Sequence, residues 1–385
     1  MKARKSLRVI VPAGIGVASL GAALVTPSLA SAQDPTLPVV SRVQLVQNML
    51  SAKPTPFSGT LVVTSNLFGS VSSLASSALP GVTLPQGTAT VNLWRGVKDQ
   101  LRAQLLNSTS ERDLYVNGPN AWLWDSSTMS AVHLIASGSQ PTEDSVPKDY
   151  SPTKLDPAVI AKDLLANLSP YVNVSIGQNN YVGGQPVYDL QLQPLDSSSL
   201  VRTINIYVDA NNWRVVGVDV ISTSSSVPVL SSEFSTISFS TPSASVFSFT
   251  PPEGAKVTTK VLTFPERNST ATESPATLSK KQLGSQMTER FLSSKGAERP
   301  KLFGSGLTSV VVSAPGAFQS LQAEAGSKYR ALFTQVFTSY QTPFGEGKVL
   351  STPLFNVMVL PNGQIVAGAV TLNQLAIDAT MGYQG

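Results

Sequence analysis

The sequence predicts an α+β protein built mainly of antiparallel strands, followed by a smaller α+β unit. Three observations predict it. From about Gly59 to Phe239 most apolar residues recur at every second position, the period of a half-buried strand. Only two segments of that stretch and its approach carry helical stripes, near residues 41–52 and 156–168. Residues 264–280, FPERNSTATESPATLSK, then lack any apolar run and read as a linker, after which the pattern starts afresh.

The first 32 residues read as a secretory signal peptide. Lys2, Arg4, Lys5 and Arg8 form a basic start, an apolar run follows from Val9 to Val25, and Ala30-Ser31-Ala32 supplies a small-x-small cleavage pattern before Gln33. The alternative is an uncleaved N-terminal membrane anchor. Against it, the run falls short of the ~20 residues a span needs and contains Pro12. Four of the 27 basic residues lie in this segment, so 23 basic residues remain against 23 acidic ones. The net charge of +4 therefore belongs to the signal, and nucleic acid is not an expected partner.

The chain has no cysteine, which excludes disulfides, thiolate metal sites, cysteine nucleophiles and a lipid-modified cysteine. The 353 residues after Ala32 suffice for two domains whose stability comes from burial. Charged residues make up 13% of the chain against a usual ~25%, and Ser, Thr, Asn and Gln cover the surface instead, as suits an extracytoplasmic protein.

In chain order, Ser41 caps a helix to Ala52 with Val43, Val46 and Leu50 on one stripe, ended by Pro54 and Pro56. Leu61 and Val63, then Ala89, Val91 and Leu93, then Leu101, Ala103 and Leu105 alternate as strands. Arg112–Val116 and Ala121–Trp124 flank the turn Asn117-Gly118-Pro119-Asn120. Residues 69–87 and 137–153 read as loops. Asp156 caps a second helix with Pro157 in its first turn and an apolar stripe of Ile160, Leu164 and Leu168, with Ala161 and Leu165 beside it. Strands resume at 187–193, 201–208, 213–221 and 234–239, the middle two joined as a hairpin by residues 209–212. The C-terminal unit, 281–385, reads as helix near 281–292, strand 307–313, helix near 329–340 and strands 354–360 and 364–370 around Pro361-Asn362-Gly363. A final helix follows Thr371.

Catalytic chemistry has little to stand on. His133 is the one histidine and sits in a strand-like segment; no Gly-x-Ser-x-Gly elbow, phosphate loop or dinucleotide fingerprint is present. The chain is read as a non-enzyme with no metal and no cofactor. Trp94, Trp122, Trp124 and Trp213 either line a ligand site or pack structurally.

Several segments resemble the actinobacterial version of the LolA-like lipoprotein-carrier superfamily, a superfamily that also includes the N-terminal domain of the RseB/MucB-like sigma-E regulators. They are Phe57-Ser58-Gly59-Thr60, Glu111-Arg112-Asp113, Trp122 to Ser126, Val208-Asp209 with Trp213-Arg214-Val215, and Phe247 to Val257. Gly306 to Val312 and Leu354 to Val370 carry the likeness into the C-terminal unit. The resemblance implies a curved antiparallel half-barrel closed by helices over residues 33–263, with a cavity that takes acyl chains. On that expectation the wall is Leu61, Val63, Val91, Leu93, Leu101, Leu105, Leu190, Leu192, Ile204 and Ile206, faced by Val46, Leu50, Leu164 and Leu168 from the helices. Three readings stay open: a carrier for acyl chains of lipids or lipoproteins; an envelope-stress sensor whose residues 281–385 contact a membrane-protein partner; and a structural envelope protein with a filled core.

N-terminal sequencing of the exported protein should begin near Gln33, and bulky residues in place of Ala30 and Ala32 should block processing, because the peptidase requires small side chains there. A membrane-retained product that still carries Lys2 would instead support the anchor.

Overall fold

A computed structural model describes residues 34–67, 87–97, 99–107, 109–137, 156–263, 300–323 and 336–383. The first strands are β1 (Phe57–Ser65), β2 (Gly87–Arg95), β3 (Gln100–Leu106), β4 (Glu111–Asn117), β5 (Asn120–Asp125) and β6 (Ser130–Ser137). After the second helix come β7 (Val172–Ile176), β8 (Asn180–Val182), β9 (Gln185–Pro194), β10 (Val201–Asp209), β11 (Val215–Ser222), β12 (Pro228–Ser238) and β13 (Lys256–Thr263). Together they form one 13-stranded sheet in the order β13-β6-β5-β4-β3-β2-β1-β12-β11-β10-β9-β7, with β8 also on β9. Every pairing is antiparallel except that of β13 with β6. The sheet is open, since its two ends, β13 and β7, do not pair with each other.

A second, six-stranded sheet contains β14 (Lys301–Phe303), β15 (Val310–Val312), β16 (Thr338–Thr342), β17 (Gly345–Ser351), β18 (Asn356–Val359) and β19 (Ile365–Gly368), in the order β14-β15-β19-β18-β17-β16. The helices are α1 (Arg42–Ser51), α2 (Pro157–Leu168) and α3 (Leu372–Gly382), besides a helical segment at 317–323. Helix α3 packs Leu375 and Ala379 against Val310, Val312, Met358 and Val366 of the small sheet. Main-chain hydrogen bonds tie the two sheets together: Leu200 N donates to Ala369 O and Thr371 N to Ser198 O, each at 2.8 Å, beside a bridge between Ser199 and Val370.

The local signals act as their chemistry requires. The Ser41 hydroxyl accepts from Gln44 N at the start of α1, and the Asp156 carboxylate accepts from Ala158 N with Pro157 in the first turn of α2. Gly118 and Gly363 take the left-handed conformation, at φ +58° and +80°, at the two turns where Asn-Gly marks a reversal. Asp209 Oδ1 accepts from Asn211 N and Asn212 N and so closes the β10–β11 hairpin.

Other expectations change. Helix α1 buries Leu45 and Met49, whereas Val43 and Leu50 are 60% and 55% exposed. Once the i, i+4 pair 45/49 faces the sheet, Leu50 lies about 100° further round the helix and points away. Residues 338–342 are strand β16 rather than the end of a helix, and residues 306–308 form a turn before β15. Strands β7, β8, β13, β14 and β17 were not foreseen. They are short, or carry apolar residues too sparsely spaced to stand out. The loops at 69–87 and 137–153, the linker and the helix near 281–292 lie almost entirely outside the described residues, as do residues 329–335.

Helix α2 is fixed by charge as well as packing. Asp156 Oδ2 accepts from Arg214 Nη2, the side chains being only 13% and 11% exposed, and the Arg214 guanidinium lies 4.0 Å from the centre of the Phe57 ring. Asp156→Ala should therefore cost about 3 kcal/mol or more in a denaturant melt, because it removes a cap and strands a buried guanidinium. Asp156→Asn, which keeps a capping oxygen, should cost clearly less.

Candidate functional site

One face of the large sheet carries an apolar surface that runs from strand to strand in register. Leu190 pairs with Ile206, Ile206 with Val218, Val218 with Ser232, Ser232 with Val63 and Val63 with Ala89. Directly paired residues point the same way, so these side chains share a face. The next row on the same face runs through Leu61, Val91, Leu105, Arg112 and Asp125, and the one beyond it through Leu93, Ala103, Leu114, Leu123 and Val132. All the strand positions expected to form a wall lie on this face: Leu61, Val63, Val91, Leu93, Leu101, Leu105, Leu190, Leu192, Ile204 and Ile206.

The face does not form one uniform wall. Leu190, Leu192, Ile204, Ile206, Val208, Val215 and Val218 pack with Leu45 and Met49 of α1 and Ala161, Leu165 and Leu168 of α2 in a first cluster. Val46 and Leu164 are partly buried against it, and Leu50 is outside it. Helix α2 is apolar over most of its circumference, so composition alone left its rotation open; packing selects Ala161 and Leu165 over Ile160 and Leu164. Leu354 and, in part, Leu307 join the same cluster from the C-terminal unit. Sequence reasoning missed Leu45, Met49 and Leu354; the first two carry an i, i+4 signal, the third none.

Leu61, Val63, Val91 and Leu93 belong to a second cluster with Phe57, Ala103, Leu114, Leu123, Leu134, Phe234 and Ile237. Among the described residues no helix contributes to it, and Leu101, Leu105, Val116 and Val132 are only partly buried there. At the end of this face Arg112 Nε meets Asp125 Oδ2 at 3.0 Å, with Arg112 55% exposed. A hydrogen bond from the Ser127 hydroxyl, then Arg112 itself, hold the Asp125 carboxyl below the usual range.

Three of the tryptophans lie on the opposite, outer face. Trp94, Arg102, Tyr115, Trp122 and His133 stand in one row across β2 to β6. Arg102 sits over the rings of Trp94 and Tyr115 at 4.8 and 4.6 Å and bonds Asp113 at 3.0 Å. Trp122 stacks on His133 at 4.0 Å, while Phe249 covers Tyr115, Trp122 and Trp124. His133 Nε2 is 3.0 Å from Asn120 Oδ1. Burial and the Asp113 carboxylate push the Tyr115 hydroxyl well above its ordinary range. These aromatic groups pack on one another. Trp213 stacks on Tyr188 at 5.9 Å beside the first cluster.

No protein-family model matches the chain, and no curated protein matches it. Among solved structures it is similar to the MucA/MucB complex of Pseudomonas aeruginosa, at 11% identity and a TM-score of 0.39, over 87% of this chain and 96% of that one. It is also similar to a LolA superfamily protein from Nitrosomonas europaea (10% identity, TM-score 0.21, 55% of this chain and 99% of that one). A third is an uncharacterized conserved protein from Thermus thermophilus (8%, 0.31, 57% and 100%).

Leu165→Ala should lower stability by about 2–5 kcal/mol, since it opens a void between α2 and the sheet, while Leu50→Ala should change it by less than about 0.5 kcal/mol. Urea melts of the two variants check the rotation of both helices.

Proposed function

We propose that this protein is an exported, non-catalytic envelope protein that binds acyl chains of lipids or lipoproteins on the apolar face of its large sheet, beside the part that α1 and α2 cover. One observation carries the reading. The apolar face continues past α1 and α2 onto β1–β6, where Leu101, Leu105, Val116 and Val132 stay partly open and no described helix contributes. An acyl chain laid there gains ~0.8 kcal/mol for each methylene it removes from water. The sequence resemblance to lipoprotein carriers points the same way.

A second reading, a sensor that reports to a membrane-protein partner through residues 281–385, is favoured by a different observation. Leu354, in the connection between β17 and β18, lies in the first cluster, so the C-terminal unit touches the strands and helices of the candidate site. A change in that cluster would reach the C-terminal unit without an intervening linker.

Organic extraction of the purified protein followed by mass spectrometry should release acyl lipid, and the protein should bind a fluorescent fatty acid. Replacing Leu101 and Leu105 together by serine should weaken that probe at least about tenfold, as two buried leucine contacts are lost, with a small stability cost at partly exposed positions. Absence of both co-purified lipid and probe binding in the unaltered protein would remove the carrier reading and leave a structural role.

A further inference from the structure

The outer face of β9–β12 carries a group of acids with no cation paired to it among the described residues. Asp189, Tyr207, Gly217 and Glu233 stand in one row across these strands, and Asp219 stands in the next row between Asn205 and Ser231. Asp189 and Asp219 are 6% and 5% exposed. The Tyr207 hydroxyl donates to Asp219 Oδ2 at 3.2 Å and Gln191 Nε2 donates to Asp189 Oδ2 at 2.7 Å, while Glu233, paired with Gly217, is the diagonal cross-strand neighbour of Asp219. The remaining oxygens, Asp189 Oδ1 and Asp219 Oδ1, have no hydrogen-bond partner among the described residues.

The backbone makes room for this group. A Cβ on Gly217 would stand 2.9 Å from both Glu233 Cγ and Tyr207 Cδ2, and one on Gly177 would stand 2.6 Å from Asp189 Oδ2. The neighbouring strand β1 presents only Val62 and Thr64 alongside, and none of the three acids has an ion pair among the described residues.

Carboxyl groups at neighbouring positions with no cation beside them repel one another unless one holds a proton. We propose that Asp189, Asp219 and Glu233 form a proton-holding cluster, with Glu233 as the acid that holds the proton, and that loss of this proton loosens strands β9–β12. Burial, then the Asp219 charge, push the Glu233 carboxyl up, and burial pushes Asp189 up to about 6. The sign follows: a carboxyl that titrates higher in the folded than in the unfolded state stabilises the fold below its unfolded pKa. That stability is lost as pH rises through the folded pKa. The same strands present Leu190, Ile206 and Val218 to α1 and α2 on their other face, so the cluster sets the rigidity of the floor under both helices.

The test is the folding constant of the full exported chain between about pH 5 and about pH 8, with hydrogen exchange at both ends of that range corrected for intrinsic rates. The unaltered protein should lose up to about tenfold in folding constant per pH unit for the proton held. Glu233→Gln, which is neutral at every pH, should flatten that slope, and His133→Gln should keep it. Exchange protection should fall with pH in β9–β12, α1 and α2 before the six-stranded sheet. A flat profile in the unaltered protein, an unchanged slope in Glu233→Gln, or earlier loss of protection in the small sheet would overturn the proposal. The unaltered protein's profile and exchange pattern decide the matter even should Glu233→Gln fail to fold.

Discussion

The arrangement of α2 on the sheet depends on one shared carboxylate. Asp156 caps α2 through Ala158 N with one oxygen and holds Arg214 with the other. Arg214 follows Trp213, a non-glycine residue at φ +64°, at the end of the turn that Asp209 closes, and its own N–H donates to Asn212 Oδ1. Its guanidinium then covers Phe57 at the start of β1, and Phe57 meets Phe234 of β12 edge to face at 5.6 Å. A helix start, a hairpin turn and two strands distant in sequence are thereby held at one point, in an environment dry enough for the pairing to be far stronger than at a surface. With the end of α2 fixed there, its length carries Ala161, Leu165 and Leu168 across β9–β11, and α1 fills the space beside it.

A chain without cysteine and poor in charge has to secure its outer face by other means. Over β1–β5 it does so with side chains that satisfy each other. Thr60 donates to Asn92, Asn92 to Gln104 and Gln104 to Glu111, while Arg102 joins Asp113 beneath two aromatic rings. Over β9–β12 the polar residues include three acids, Asp189, Asp219 and Glu233, without a counter-ion among the described residues. The two halves of one sheet therefore respond oppositely to protons. Acid weakens the half stabilised by ion pairs, and base weakens the half stabilised by a shared proton. The helix-covered core lies over the second half.

Much of the architecture was legible because it is encoded locally. Period-two alternation placed β1–β5 and β9–β12, and Ser41, Asp156-Pro157, Asn117-Gly118 and Asn362-Gly363 marked helix starts and reversals through their own hydrogen bonds or backbone freedom. The wall positions on the strands were legible for the same reason, since alternation fixes a common face within each strand. The helix positions were less so. Leu50 belongs to an apolar stripe yet points away, and Leu164 is less buried than Leu165, because a short helix with apolar residues on several sides is rotated by what it packs against.

The sequence by itself determined that this is a cysteine-free, strand-dominated α+β chain with two capped helices and one apolar face per strand, since each of these follows from neighbours a few residues apart. Only the tertiary structure decided the rest. It split the apolar face into a helix-packed part and a part to which no described helix contributes, and brought Leu354 into the first core. It also paired β13 in parallel with β6 and gathered Asp189, Asp219 and Glu233 from three strands into one group on the outer face. Each of those depends on register between strands far apart in the chain, and register is a property of pairing that no single strand carries.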